Sequence, residues 1–241
     1  MDGKEAYSKL KRWVESLSPF IKSWDSAKNL YSPDRVKETI TDSIKLADVG
    51  LAVKIFILAA FLSTTLSILA LYESLQLVNF TAETVTTILG TAQEMMTIDQ
   101  LVPFLIMEIT SGIPLALALN IGLELVGYKI AKLSGGEGSL AQHLYMMSII
   151  ILALAMLNVL SFLMPIPCIQ IIAFAVQVIG LIYFGIYVAS RAYSEVHKIT
   201  MVHSLAIIIL VSVIRFTIMA FVINWLGTIL NLTNVLNFTG G

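Results

Sequence analysis

The 241-residue sequence contains one cysteine, Cys168. No intrachain disulfide can form from it, and no cysteine-based metal cluster can be built. Charge is scarce too: 13% of residues are Asp, Glu, Lys or Arg, about half the share usual in a soluble domain. Basic residues are in no excess, 15 against 16 acidic for a net charge of −1, which excludes the polybasic field that nucleic acid requires. The start, MDGKEAYSKLKRWVESL, lacks the short apolar core and small-residue cleavage site of a signal peptide. The chain is therefore expected to stay intact and to insert through its own first span. What is abundant is apolar: 57% of residues are hydrophobic and the mean hydropathy is +0.86. Those values define a membrane protein.

Five apolar segments reach the roughly 20 residues needed to cross about 30 Å of hydrocarbon. They lie at Leu51–Tyr72, Leu101–Tyr128, Leu140–Met164, Ile169–Ser190 and Met201–Leu226. The fold class expected is all-α, a polytopic bundle of five transmembrane helices over 49–226, with a cytoplasmic region 1–48 and an outside tail 227–241. Only Pro165-Ile166-Pro167-Cys168 joins the third span to the fourth, which makes that pair an antiparallel hairpin.

Lysine and arginine are retained on the cytoplasmic side. Residues 1–48 carry nine of them; the connector after the second span has Lys129 and Lys132, and the one after the fourth has Arg191 and Lys198. The connector 73–100 and the tail after 226 have none. With five spans these assignments agree in one way, with the N-terminus in the cytoplasm and the C-terminus outside. The three N-glycosylation sequons, at Asn79, Asn231 and Asn237, all fall in segments the charge distribution places outside.

Two pieces outside the spans have helical patterns. Tyr7, Leu10, Trp13, Val14 and Leu17 recur at helical spacing, with lysines on the flanks. That suits a helix in the membrane interface or one packed on the protein's own cytoplasmic face. Ser32-Pro33-Asp34 then reads as a helix start, continued by Val36, Ile40 and Ile44 and running close to the first span. On the other side, Val85, Ile88, Leu89, Ala92, Met95 and Met96 share one face of a helix over 81–97.

The two inner connectors are short and polar: Gly135, Gly136 and Glu137 lie in the first, and Glu195, His197 and Lys198 in the second. The glycines could offer N–H groups to a phosphate, but no GKS/T lysine and no preceding strand accompany them. A flexible turn is the better reading.

Three stretches, NLYSPDRVKETI, LSGGEGSLAQHL and RAYSEVHKITMVHSLAIIIL, lead into the first, third and fifth spans. Through them the chain, from about Leu30 to Val211, resembles the Yip-domain (Ypt-interacting protein) membrane proteins. The resemblance implies a five-span bundle and a non-enzymatic role as a membrane scaffold or adaptor in trafficking or membrane organisation. It also implies a protein partner on the cytoplasmic face. The long cytosolic extension of eukaryotic members is lacking here, so the resemblance points to the prokaryotic, archaeal type; the membrane expected is the cytoplasmic one for a prokaryotic chain and an endomembrane for a eukaryotic one. The bilayer is the other expected partner, and self-association remains open.

Within the spans two charges stand out, Glu108 in the second and Arg215 in the fifth. Each costs about 2.5–3.5 kcal/mol at a lipid-exposed helix centre, so neither should face lipid, and a Glu108–Arg215 pair is expected inside the bundle. Such a pair fixes helix register on the plainer reading; on the sharper one it is a substrate or proton site of a small transporter or channel. Asn120, Glu124, Asn158, Gln170 and Gln177 could extend a polar network, with Asn158 and Gln177 the better interhelical hydrogen-bond partners. Pro114 should kink the second span at Thr110.

His143, His197 and His203 gather near the inner face and could in principle converge on zinc. His197 and His203 do not share a helical face, and no HExxH motif occurs, so neither metal nor cofactor is expected. No nucleophile motif such as GxSxG is present, and the chain is expected not to be an enzyme.

Overall fold

The computed structural model describes residues 17–67, 106, 108–163 and 167–238, with the side chains of 108–109, 162–163, 167–168, 219 and 222–238 left out of the description. The expected helix over 81–97, the sequon at Asn79 and the interfacial stretch 7–16 lie outside these residues. Every described element is helical: α1 (17–29), α2 (Val36–Ile44), α3 (Val49–Ser67), α4 (Ile113–Leu133), α5 (Leu140–Leu157), α6 (Pro167–Ile182), α7 (Ala189–His197) and α8 (Met201–Phe238). Five helical stretches are long and apolar enough to cross a membrane: Val49–Ser67, Thr110–Leu133, Leu140–Ser161, Ile169–His197 and Met201–Ile218. The all-α membrane bundle read from the sequence is the fold.

The third span is the axis of the core. On α5, His143 through Ile150 are all buried. Its start is fixed by Ser139, whose hydroxyl accepts from the Gln142 N–H while the Gln142 side chain accepts from the Ser139 N–H. This reciprocal cap satisfies two N–H groups that a helix start leaves without partners. Ser139→Ala should cost about 1 kcal/mol, read as a lower unfolding midpoint in detergent.

Residues 17–44 do not form a loose extension. They fold as a helical hairpin, α1 up and α2 back, whose apolar face is consumed by the bundle. Ala27, Leu30, Val36 and Ile40 are at most 1% exposed, and α2 packs against α5 and α7. Burying Leu30, Val36 and Ile40 contributes roughly 1.5–3 kcal/mol each. Polar contacts set the register. Ser23 Oγ spends its proton on the Pro19 carbonyl (2.7 Å), so the Tyr145 hydroxyl donates to it (2.9 Å). One stretch further on, the Tyr31 hydroxyl donates to the Ala153 carbonyl (2.6 Å), and Tyr183 donates to the Leu30 carbonyl (2.9 Å). Burial holds the Tyr31 phenol up to about 12, so it remains a donor at any physiological pH. Tyr31→Phe should cost about 1 kcal/mol, with α1 and α2 gaining hydrogen-exchange rate before the rest of the chain.

Helix α2 begins where the sequence places it, after a single 3-10 turn at Pro33–Arg35, although the Ser32 side chain makes no cap bond. Pro114 has the expected effect in a different form. Its missing N–H leaves the Thr110 carbonyl without its usual donor, and the chain there widens into a π turn at Glu108–Gly112, a local form that proline-disrupted helices adopt. A second π turn, Tyr183–Val188, joins α6 to α7.

Two boundaries move. The fourth helix does not stop at Ser190 but runs to His197, because Ala192, Tyr193, Val196 and His197 are buried against the bundle. The inner connector after it shrinks to Lys198, Ile199 and Thr200, with Lys198 in the left-handed conformation (φ 57°) that ends the helix. The fifth helix continues past Leu226 to Phe238, so Asn231 and Asn237 sit in helix rather than in a tail. No proline follows Pro167 to stop it.

A buried polar cluster as candidate functional site

Helices α4, α5, α7 and α8 meet around five polar side chains. Glu124 comes from α4, His143 from α5, Tyr193 and His197 from α7, and Arg215 from α8. Glu124, His143, Tyr193 and His197 are each no more than 2% exposed. Arg215 Nη2 lies 3.3 Å from Glu124 Oε1, and the Tyr193 hydroxyl donates to Glu124 Oε2 at 3.3 Å. His143 Nε2 is 2.9 Å from the Glu124 carbonyl and 3.6 Å from Glu124 Oε2, while His143 Nδ1 is 3.1 Å from His197 Nε2.

The tautomers follow from these partners. A carbonyl oxygen can only accept, so His143 Nε2 carries hydrogen. In a neutral ring His143 Nδ1 is then the acceptor, and His197 Nε2 must donate to it. His197 Nδ1 is left as a bare lone pair, buried and with no hydrogen-bond partner among the described residues. Aromatic rings wall the pair. Tyr193 stands edge-on to His143 at 4.9 Å, and Tyr128 lies 5.8 Å from each imidazole, with Lys132 Nζ 5.9 Å above the Tyr128 ring.

The glycines of the first connector have a packing role here. The Glu137 N–H donates to the His197 carbonyl at 2.9 Å, clasping one connector to the other. A methyl group on Gly136 would stand 2.7 Å from the Ala131 carbonyl, and one on Gly138 2.5 Å from the Val196 carbonyl and 2.9 Å from His197 Nδ1. Gly135 sits at φ +85°, where side chains are strained. Glu195 is held by Arg191 at 3.4 Å one turn earlier, and Lys198 closes the helix.

The expected pair needs correcting. Among the described side chains the carboxylate that meets Arg215 is Glu124, not Glu108. Glu108 lies sixteen residues earlier on the same helical run, about 24 Å along the axis at 1.5 Å per residue, and its side chain is outside the described residues. The second span runs to Leu133 rather than Tyr128, which sets Glu124 deeper in the membrane than the sequence estimate did. The histidines divide. His143 and His197 pair, whereas His203 is exposed and meets Thr200 (3.1 Å). Asn158 donates to Ser63 at 2.6 Å and Gln177 to Ser161 at 3.1 Å, so these two join helices. Asn120, half-buried on α4, is not part of the cluster. Tyr193 and Tyr128 escaped sequence reasoning; the pattern Ala192, Tyr193, Val196, His197 on one helical face was the available signal.

Beside the cluster, Glu124, Tyr193, Arg215 and Ser212 border a cavity of about 90 Å³ whose other lining residues are apolar or glycine, room for a few waters. Fold and site together define an integral membrane protein, a five-span α bundle with a cluster of ionisable side chains, four of them buried, between its helices. No family model, curated protein or solved structure matches the chain.

Proposed function

We propose that this chain is an integral membrane scaffold of the Yip-domain type, non-enzymatic, with its N-terminus in the cytoplasm and its C-terminus outside, acting through a cytoplasmic protein partner. The observation that carries the reading is the hairpin 17–44. Its apolar face is locked into the bundle, while its charged face stays exposed around a groove of about 540 Å³ lined by residues that include Lys22, Asp25, Asn29, Arg35, Glu38 and Asp42. A rigidly mounted surface of mixed charge is suited to selecting a partner, and one of the three stretches that resemble the Yip-domain proteins, residues 29–40, lies within it. The test is mild-detergent purification of the full chain beside a Lys22→Glu/Arg35→Glu variant. Truncation is unsuitable because Ser23 and Ala27 are core residues. A near-stoichiometric protein that falls about tenfold in the variant, as expected for rim charges that steer association, supports the scaffold. Purification of both forms without companions sinks it.

The orientation rests on the lysine and arginine distribution. It predicts that Cys168, at the turn between the third and fourth spans, reacts with an impermeant thiol reagent from outside intact cells. A cysteine at Glu38 in a Cys168→Ser background should react only once the membrane is opened.

A second reading, a small transporter or channel, is favoured by the Glu124–Arg215 pair beside its cavity. It predicts flux in liposomes that Glu124→Gln abolishes.

A further inference from the structure

We propose that His197, His143 and Glu124 form a proton-transfer chain between the clasped inner connectors and the Arg215-lined cavity. The bond order is directional. His197 Nε2–H points to His143 Nδ1 (3.1 Å), and His143 Nε2–H is held by the Glu124 carbonyl (2.9 Å), with the Glu124 carboxylate Oε2 3.6 Å from the same nitrogen. The chain's one open end, His197 Nδ1, is buried and unpartnered among the described residues. It faces Gly136 and Gly138, where an added Cβ would stand 3.1 and 2.9 Å from it. The other end reaches the cavity through the Glu124 carboxylate. A core built only to hold helices in register would satisfy its polar atoms or replace them with apolar ones. Here a lone pair stands bare at one end and an acceptor carboxylate at the other.

The step balances. A proton from water binds His197 Nδ1, and the Nε2–H bond of His197 breaks as one forms at His143 Nδ1. Once the Glu124 carboxylate closes the 3.6 Å to His143 Nε2 in place of the carbonyl, the Nε2–H bond of His143 breaks and its proton joins Glu124 Oε2. One proton has entered at the connector and one has arrived at the carboxylate, with both imidazoles neutral and their tautomers exchanged. Rotation of the rings or a proton passing back resets them. The groups facing the chain from the packed elements are Tyr128 and Lys132 on α4, Tyr193 on α7, Arg215 on α8 and Glu137 on the connector. A neutral Glu124 no longer balances the charge of Arg215, so each proton delivered weakens the tie between α4 and α8. The inference stands whether or not residues 17–44 recruit a partner.

The test is infrared difference spectroscopy of the full-length protein in nanodiscs after a rapid acid jump. The parent should show a protonated-carboxyl band that Glu124→Gln removes. In His143→Gln, which keeps an amide donor but cannot relay, the band should rise at least about a hundredfold more slowly, the low end of the effect of a lost general acid–base group. His197→Gln interrupts the chain one step earlier and should do the same, and it serves if the first variant does not fold, as judged by its elution and unfolding midpoint. A band that Glu124→Gln leaves unchanged overturns the proposal, as does a parental rise rate in a folded histidine variant.

Discussion

Replacing Arg215 with leucine should destabilise the bundle by on the order of 3 kcal/mol, because it strands a buried carboxylate. Glu124 is 3% exposed at its side chain and would retain only the Tyr193 hydroxyl and the adjacent imidazole. The reverse change is milder. Glu124→Leu leaves an arginine whose side chain is already 40% exposed and which can turn its guanidinium toward headgroups, so about 1 kcal/mol is expected. The double variant Glu124→Leu/Arg215→Leu should recover most of the loss, since an apolar pair of similar volume often replaces a buried ion pair at little cost. Unfolding midpoints of the three variants and the parent in one detergent check the order. Equal losses in the two single variants would mean that Arg215 is as enclosed as its partner. If the double variant were the least stable of the three, the polar cluster would be holding the inner ends of the helices together through more than this pair.

Gly138→Ala should be the other large effect. The added methyl would meet the Val196 carbonyl at 2.5 Å and His197 Nδ1 at 2.9 Å. The first is backbone in the last turn of α7 and cannot swing aside, so the connector must lift away from it. That breaks the hydrogen bond from Glu137 to the His197 carbonyl and opens the cluster from the inner side. Overpacking of this kind costs about 1–3 kcal/mol. The local signature should be faster hydrogen exchange over 134–139 and 193–200. Gly135→Ala is the control: open space surrounds that site, so only its left-handed backbone is strained, at about 1 kcal/mol. Equal effects from the two variants would place the constraint in backbone conformation rather than in the closeness of the connectors.

The spans were legible because each is a long apolar run, and length and hydropathy suffice to find such runs. The position of α2 was legible for the same kind of reason, Val36 and Ile40 repeating at one helical face. The cluster was not. Its five members come from four different helices, and pairing Arg215 with a carboxylate requires knowing the depth of both to within a turn. Five residues of error at the end of the second span were enough to favour Glu108 over Glu124. The histidines were visible as a group, but their partition was not, since nothing local to His203 distinguishes it from His197 except which side of Lys198 it follows. The docking of the hairpin 17–44 was not legible either, since its hydrogen-bond partners Tyr145, Ala153 and Tyr183 are residues more than a hundred positions away.

The π turn at Tyr183–Val188 bears on how the cluster came to be assembled at all. Such a turn holds about one more residue than an α-helical turn would, so everything beyond it is rotated by about 100° relative to an unbroken helix. Tyr193 and His197 lie beyond it and Gln177 lies before it, yet all three point into the protein. A single-residue deletion between Tyr183 and Val188 would leave composition and hydropathy almost untouched and would still make a span of ample length. It would swing Tyr193 and His197 off the interior face, leaving His143 without a donor and the glycine connector with nothing to clasp. The cluster therefore depends on a one-residue phase shift in the fourth helix, a kind of information carried by residue count and by no side chain.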